Sequence, residues 1–191
     1  MFLLREPSIA AIENFLSLQR RQSFSYPHVG ASRGQQPPQN FVVDHNRVRL
    51  GAGEATFAQA VAAIRSWRMF DVAWCRIYPP AAPLEVGTTV AIVINHFGFW
   101  SLNACRIVYL LEEAGDVEKY GFAYGTLPEH GEAGEERFSV EWNRADDSVW
   151  YDLYAFSRPQ YPLSRIGYPL SRMLQKRFAR ESKLAMSRAC G

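Results

Sequence analysis

A histidine and several glutamates cluster in the second half of the sequence, at His130, Glu132, Glu135 and Glu136. A histidine beside carboxylates can pass protons in general acid–base catalysis, because nearby carboxylates hold an imidazolium near neutral pH. His130 and Glu136 are therefore candidate catalytic residues. The alternative is a solvent-exposed acidic hairpin without a chemical role, since charged turns are commonly exposed.

Alternation along the predicted strand around Glu136 separates its two faces. Successive side chains of a strand point to opposite faces, so Glu136, Phe138, Val140 and Trp142 share one face, and Glu135 belongs to the other. The three large apolar residues mark the first face as the core. A carboxylate on that face needs a partner or a wet cavity. Glu136 is therefore the strongest single candidate, and Trp142 is a candidate ligand contact.

Four further side chains are candidate ligand contacts, and each has a structural alternative. Tyr124 alternates with aromatic residues on a neighbouring predicted strand, and Arg106 lies among apolar residues on another. Arg106 either anchors an acidic group inside, extends to solvent, or forms a structural salt bridge. Tyr26 and His28 lie in an irregular segment, where they either cover the mouth of a cavity or pack as a plug.

The familiar sequence motifs for nucleotides, cofactors and metals are absent. Gly51 and Gly53 lie between a predicted strand and helix, but Thr56 replaces the third glycine of a dinucleotide fingerprint, and Glu54 would repel a phosphate. A tight turn explains these glycines better. The histidines, at positions 28, 45, 96 and 130, have no metal-ligand spacing. Neither a metal nor a cofactor is predicted.

Composition and length predict one cytoplasmic domain. The chain has 191 residues, 48% of them hydrophobic, which is enough for one sizeable core. Its three cysteines are widely spaced and contain no C-x-x-C pair, which favours reduced thiols over disulfides or a metal site. No apolar run is long enough for a signal-peptide core or a membrane-spanning helix. A net charge of +2 does not by itself indicate a nucleic-acid partner.

Periodicity and turn residues divide the chain into a helix, a strand, a second helix, six strands and a long helix. Ser8 is a candidate cap for the first helix, whose apolar stripe is predicted at Ile9, Ile12 and Leu16. Residues 1–22 are predicted as a helical appendage to a single domain of residues 23–191. The second helix is predicted over residues 54–67 and the last over residues 161–186, with a kink or restart at Pro169. Hairpin-connected strands are predicted over residues 41–50, 72–78, 88–97, 102–111, 120–127, 135–143 and 149–156.

This element order predicts an α+β fold, with a seven-stranded antiparallel curved sheet, a helix after the first strand and a long C-terminal helix. The sheet has a face to bury, and the two long helices are the elements able to cover it. That arrangement is the helix-grip architecture. It encloses a cavity in proteins that resemble birch pollen allergen and the START lipid-transfer domains.

Several segments also resemble a bacterial and plant family called domain of unknown function nineteen-ninety. The segments that carry the resemblance are Tyr26-Pro27-His28-Val29-Gly30-Ala31, Leu50-Gly51-Ala52-Gly53-Glu54, Ala63-Ile64-Arg65-Ser66-Trp67-Arg68-Met69-Phe70, Phe122-Ala123-Tyr124-Gly125-Thr126-Leu127-Pro128, Gly134-Glu135-Glu136-Arg137-Phe138 and Ala155-Phe156-Ser157-Arg158-Pro159. The resemblance implies a helix-grip fold. It implies no activity, because the family has none assigned.

The end of the sequence is basic, with eight Lys or Arg residues against the single acid Glu181 over residues 158–191. Five of the basic residues follow a helical spacing: Arg165, Arg172, Lys176, Arg180 and Lys183. An apolar stripe lies opposite them, formed by Leu163, Ile166, Leu170, Met173, Leu174 and Phe178. The basic stripe is either a solvated outer face or a docking surface for an acidic partner. Nucleic acid is disfavoured, since no recognition module accompanies it.

Three functional hypotheses remain open. The first is binding of a partly hydrophobic small molecule between the sheet and the C-terminal helix, with Tyr124, Glu136 and Arg106 as polar anchors. The second is an enzyme that uses the same cavity, with His130 or Glu136 as general base. The third is an interaction module that docks through its basic helix. The oligomeric state is not predicted.

Overall fold

An antiparallel sheet dominates the computed structural model, which describes residues 1–34, 38–160 and 168–191. The described residues form eight strands. Their bounds are β1 Phe2–Leu3, β2 Val42–Ala52, β3 Cys75–Tyr78, β4 Thr89–His96, β5 Phe99–Glu113, β6 Val117–Thr126, β7 Glu132–Asn143 and β8 Ser148–Pro159.

Three α-helices accompany the sheet in the described part of the chain: α1 Ile9–Gln19, α2 Gly53–Arg65 and α3 Tyr168–Cys190. Two short 3-10 turns, Ala31–Arg33 and Arg68–Phe70, lie in the connections. None of these helices is long and apolar enough to cross a membrane.

The strands follow the order β2-β8-β7-β6-β5-β4-β3, with β1 paired to β5. Strands β3 to β8 form the predicted meander, and β2 pairs antiparallel with β8, the last strand. The predicted α+β fold with a seven-stranded antiparallel sheet is therefore confirmed. The eighth strand, β1, was not predicted, because a two-residue strand leaves no periodic signal in the sequence.

The inner, concave face of the sheet carries the main core, as the alternation of β7 predicts. Phe138, Val140 and Trp142 are buried in one cluster with Phe57 and Ile64 of α2. Met186 of α3 belongs to the same cluster. Burying these side chains against two helices supplies most of the apolar contact that holds the sheet curved.

The outer face of the sheet is covered as well, and α1 covers one end of it. Ser8 caps α1 as predicted, its Oγ accepting a hydrogen bond from the Ala11 amide at 3.2 Å. Ile12, Phe15 and Leu16 are buried against residues of β4 and β5. Ile9, predicted for the apolar stripe, is instead 63% exposed. The predicted positions Ile12 and Leu16 are therefore confirmed, and Phe15 rather than Ile9 completes the buried face.

The apolar stripe predicted for the last helix needs a similar correction. Leu174 is buried, but Leu170 and Met173 are exposed by 41% and 49%. The buried face continues instead through Ala179 and Met186. The predicted start at residue 161 and the stripe positions Leu163 and Ile166 lie outside the described residues. The described part of α3 spans Tyr168–Cys190, so the predicted kink or restart at Pro169 lies at the edge of the described residues and stays a prediction.

Candidate functional site

A cavity of about 520 Å³ lies between the inner face of the sheet and α3. Its walls are largely apolar, formed by Phe70, Trp74, Ile92, Ile94, Leu153, Leu174 and Phe178. Its polar lining includes Asp44, His96, Ser101, Asn103, Tyr124, His130, Glu132, Glu136, Ser157 and Gln175. The helix-grip arrangement therefore leaves an internal space with a few polar groups on apolar walls.

A tyrosine and a glutamate form a hydrogen-bonded pair in this cavity. Tyr124 on β6 lies directly opposite Glu136 on β7 in the register of the two strands, and its hydroxyl donates to Glu136 Oε2 at 2.6 Å. The Tyr124 ring packs against Phe138 with ring centroids 5.2 Å apart, and against Phe70 at 6.4 Å. Two strands that pair in one register thus place a carboxyl group among aromatic rings.

This environment changes the acidity of the pair. Burial raises the pKa of Glu136 to about 7, the hydrogen bond from Tyr124 opposes that rise, and the charges of Asp44 and Glu132 add to it. Burial also raises the pKa of Tyr124 well above its ordinary value. Near neutral pH the glutamate therefore exchanges a proton readily, while the tyrosine stays protonated and acts as a hydrogen-bond donor.

His130 lines the cavity next to Glu132. Its Nδ1 lies 3.0 Å from both the amide nitrogen and the carbonyl oxygen of Glu132. Burial lowers the pKa of His130 to about 4, and the backbone hydrogen bond to Glu132 only partly opposes this. An imidazolium is therefore not held near neutral pH, because burial dominates and the charge of the N-terminal ammonium lowers the pKa of His130 further. His130 is a neutral ring in this site.

The last helix contributes polar groups to the same region. The Gln175 side-chain amide donates to Glu132, and also to Ser157 at 3.2 Å. Arg172 forms a two-pronged ion pair with Asp44 of β2, in which its Nη2 donates to Oδ1 at 2.7 Å. Burial raises the pKa of Glu132, and hydrogen bonds from Ser157 and Gln175 oppose that effect. These contacts attach α3 to the sheet beside the cavity.

The far wall adds a neutral polar group of three residues on β4 and β5. His96 Nε2 lies 2.7 Å from Ser101 Oγ, and the Asn103 amide donates to the same oxygen at 2.9 Å. Burial lowers the pKa of His96. These side chains present hydrogen-bonding groups without a charge.

Two cysteines face the core beside Glu136, and both are free and buried. Burial raises the pKa of Cys75 and of Cys105, and the Glu136 carboxylate raises each further. Neither thiol therefore has the thiolate character of a nucleophile. Within residues 1–34, 38–160 and 168–191, no group of three or more histidine, cysteine or acidic side chains is arranged to hold a metal ion.

Of the residues predicted as site candidates, the structure brings Tyr124, Glu136 and His130 together in the cavity. Arg106 lies on the outer face instead. Its guanidinium donates to the carbonyl oxygens of Gln19 and Arg20 at 3.1 and 3.0 Å, and so caps the C-terminus of α1. Arg106 is therefore a structural residue, and its contact is with a helix end rather than with an acid.

Tyr26 and His28 also lie away from the cavity. Tyr26 is buried on the outer face, where its hydroxyl donates to Glu135 at 2.5 Å. His28 is exposed and touches Phe41, with ring centroids 6.1 Å apart. The irregular segment that holds them covers the outer face of the sheet, because Glu135 provides a buried anchor there.

Trp142 is buried, but at the end of the sheet that packs on α2. Its ring contacts Phe57, with centroids 5.8 Å apart, and its indole nitrogen donates to Asp147 at 2.8 Å. It does not line the cavity. Trp142 shares a strand face with Glu136 and is therefore in the core, but it lies six residues further along the strand, a distance of about 20 Å.

Sequence reasoning missed Asp44, Ser157 and Gln175 as cavity residues. Asp44 had a readable signal, since it alternates with Val48 and Leu50, which pack on the core. Gln175 had none, because a glutamine beside basic residues on a helix resembles an ordinary exposed position.

Two of the four described residues of the basic stripe on the last helix contact other parts of the domain. Arg172 pairs with Asp44, and Lys183 Nζ lies 3.4 Å from Asn46 Oδ1. Lys176 and Arg180 are exposed. Arg165 lies outside the described residues. The part of the stripe that the structure describes is therefore split between polar contacts within the domain and solvent, and does not form one continuous basic face.

The chain is similar along its whole length to two curated proteins. A UPF0548 protein of Dictyostelium discoideum is 38% identical over 210 residues, covering 100% of this chain and 96% of the relative. A UPF0548 protein of Deinococcus radiodurans is 40% identical over 201 residues, covering 100% of both. Among solved structures, human STARD10 is 10% identical with a TM-score of 0.47, covering 97% of this chain and 80% of that chain.

The family resemblance noted in the sequence is confirmed by a match to a family model. The model described as Domain of unknown function (DUF1990) matches residues 25–185. That range includes the sheet from β2 to β8, the helix α2 and most of α3. With the full-length relatives, this match shows that the chain belongs to the DUF1990 family.

Proposed function

We propose that this protein binds a partly hydrophobic small molecule in the cavity between the sheet and α3. The single observation that carries the proposal is the Tyr124–Glu136 pair, which lies on the wall of a cavity of about 520 Å³. Cavities of roughly 300–1,000 Å³ with mainly apolar walls and few polar groups are typical of small-molecule sites. A buried carboxyl group is costly to maintain, and orientation of a ligand explains its presence here.

The walls indicate what the body of the ligand is like. Phe70 and Phe178 pack together with ring centroids 5.1 Å apart, next to the Tyr124 ring. On other sides the walls are formed by Ile92 and Leu153. Contact with these residues favours an apolar, flat or ring-containing body. The polar groups at Glu132 and Asn103 would then contact substituents on that body.

The test is native mass spectrometry of protein purified from its own host, compared with a denatured sample. We expect a co-purifying small molecule in the native protein. Ala155→Phe, which places a large ring in the cavity, should abolish the adduct, and Ala145→Phe, at an exposed position away from the cavity, should retain it. An adduct that survives in folded Ala155→Phe protein would place the ligand elsewhere. The proposal is contradicted if no growth condition yields an adduct and if added ligands stabilise the Ala155→Phe variant as much as the native protein.

An enzyme in the same cavity is the second candidate, and the acidity of Glu136 favours it. Burial raises the pKa of Glu136 to about 7, which suits a general base at neutral pH. The pKa of His130, lowered to about 4, makes that residue a weak base by comparison. Turnover of a captured ligand that is lost in Glu136→Gln but kept in His130→Gln would support this candidate. Retained turnover in Glu136→Gln would exclude Glu136 as the base.

For the compartment, we propose the cytoplasm. Cys75, Cys105 and Cys190 are all free thiols, and this supports a reducing environment. Localisation of a fluorescently tagged chain tests this point directly.

A further inference from the structure

We propose, on the basis of the proposed function, that the ligand of this cavity carries a protonated amine and that the Glu136 carboxylate binds it. The inference depends on which polar groups of the cavity are satisfied within the protein and which are left for a ligand. It also depends on the aromatic rings around the carboxylate.

Two acids of the cavity lining, Glu132 and Glu136, form no ion pair with a cation among the described residues. Asp44 is neutralised by Arg172. Glu132 and Glu136 have no Lys, Arg or His nitrogen within 4.0 Å among the residues that the structure describes. Lys176 borders the cavity but is exposed. Ionised, the two glutamates leave the cavity with a net negative charge, which attracts a cation and repels an anion.

The other titratable groups that face Glu136 supply no positive charge. Tyr124, Cys75 and Cys105 all have a raised pKa and stay protonated and neutral. On the same lining, His96 and His130 both have a lowered pKa and are neutral at pH 7. A ligand is therefore the missing source of charge for Glu136.

One oxygen of Glu136 is available to a ligand. Oε2 accepts the hydrogen bond from Tyr124 at 2.6 Å. Oε1 accepts none from the described residues, and the side chain keeps part of its surface accessible at the cavity wall. A carboxylate oxygen is an acceptor only, so the group that fills this place must donate a hydrogen bond. An ammonium group donates and also supplies the charge.

The rings beside Glu136 favour a cation for a second reason. The Phe70 ring lies 6.4 Å from the Tyr124 ring and 5.1 Å from the Phe178 ring, centroid to centroid. The faces of such rings attract a cation placed within about 6 Å. A carboxylate among aromatic rings therefore selects an amine over an alcohol of the same shape, and disfavours a carboxylate.

The experiment uses three probes that share a phenyl ring: 2-phenylethylamine, 2-phenylethanol and 3-phenylpropionate. Titration calorimetry or protein NMR at pH 8 measures each affinity on the full chain. We expect the amine to bind at least tenfold more tightly than the alcohol, and the carboxylate to bind most weakly. Glu136→Gln should weaken amine binding at least tenfold and alter alcohol binding less than threefold. Glu113→Gln, at an exposed acid at the end of β5, should change neither.

The pH dependence gives an independent readout. Glu136, whose pKa is about 7, goes from mostly protonated at pH 6 to mostly ionised at pH 8, so amine affinity should rise about tenfold over that range. Alcohol binding should not follow this curve. In Glu136→Gln the rise should disappear for the amine as well, which distinguishes titration of Glu136 from titration of any other group.

The outcomes separate this inference from the proposed function. Equal or tighter binding of the alcohol or the carboxylate would overturn the amine assignment and leave the cavity as a binding site. If no probe binds, the molecule captured from the host decides: one without a cationic nitrogen overturns the assignment, and one with it supports the assignment. If no probe binds, nothing is captured and Ala155→Phe has no effect, both proposals fail together.

Discussion

Glu135 and Glu136 are adjacent in sequence and lie on opposite faces of the same sheet, and they differ in how many hydrogen bonds the protein donates to them. Glu135, on the outer face, is 2% exposed. It accepts hydrogen bonds from the Tyr26 hydroxyl at 2.5 Å, the Gly30 amide at 2.7 Å and the Ser32 amide at 2.9 Å, and from the Ser32 hydroxyl. Glu136, on the inner face, has the Tyr124 hydroxyl as its hydrogen-bond donor.

The comparison separates a carboxylate with a structural role from one that is a candidate ligand contact. Glu135 is satisfied by the N-terminal segment and holds that segment on the sheet, so it leaves nothing for a ligand. Glu136 is only partly satisfied and borders a cavity. Burial without full hydrogen bonding raises the energy of the charged form, and a binding partner can lower it again. The number of hydrogen bonds that a buried carboxylate accepts from the protein, rather than its burial alone, distinguishes the candidate site.

Loss of the Glu135 side chain should have the largest effect on stability. Glu135→Ala leaves the buried donors on Tyr26, Gly30 and Ser32 without an acceptor, and we expect a loss of about 3 kcal/mol or more in the free energy of unfolding. Glu136→Ala should cost far less. Urea unfolding of both variants, followed by circular dichroism, tests the contrast. Equal losses would show that the two carboxylates do not differ in structural role.

Glu136 should make the folded chain less stable as the pH rises, whereas His130, whose pKa is lowered to about 4, has the opposite effect, so the contribution of Glu136 is measured as a difference between variant and native chain. Its folded pKa of about 7 exceeds the ordinary value, so the folded chain binds more protons than the unfolded chain between about pH 4.5 and pH 7. Glu136 therefore does not lower the free energy of unfolding at low pH. Its destabilising effect grows as the pH rises and levels off above pH 7. Glu136→Gln should be more stable than the native chain at pH 8, by about 3 kcal/mol, and nearly equal to it at pH 4.5. Urea unfolding at both pH values measures this, and a constant difference would contradict it.

The outer face should also be sensitive to a single methyl group at Gly125. A Cβ there would lie 2.2 Å from the Tyr26 hydroxyl, in the anchor of the N-terminal segment. Gly125→Ala should therefore lower the free energy of unfolding by about 2 kcal/mol. Gly131→Ala is the matched control, because a Cβ there meets nothing within 4 Å. Thermal unfolding of the two variants should differ clearly, and similar melting temperatures would contradict the tight packing.

The smallest effect concerns the contact between Arg106 and α1. Arg106→Met keeps an apolar stem beside Phe24 but removes the donors to the end of α1. We expect a loss of about 1 kcal/mol and faster hydrogen exchange in α1. Exchange at cavity residues should be unchanged, as should binding of the amine probe. Altered probe binding would show that the two faces of the sheet are coupled.

Much of the fold could be predicted, because its elements have strong local signals. The strands around Phe138 alternate cleanly, turn residues separate them, and Ser8 caps a helix with periodic apolar residues. The faces that helices bury were less predictable. Ile9 and Met173 follow the right spacing yet are exposed, because the surface that a helix meets belongs to residues far away in sequence.

The candidate site was predicted in part. Tyr124 and Glu136 could be found because strand alternation assigns each to a face, and neighbouring strands bring such faces together. Arg106 and Tyr26 could not be assigned correctly, since each depends on whether the outer face is open to solvent. An N-terminal segment that covers that face turns both into structural residues.

The sequence by itself determined the element order, the antiparallel sheet and the family of this protein, because periodicity, turn residues and motif segments are local properties of the chain. It also assigned Glu135 and Glu136 to opposite faces. Only the tertiary structure decided which of the two has its hydrogen bonds filled by the protein. The reason is that Tyr26, the partner of Glu135, is far away in sequence, whereas Tyr124, the partner of Glu136, is on the neighbouring strand. It also decided which side chains border the cavity, because a cavity exists only where distant elements meet without filling the space between them.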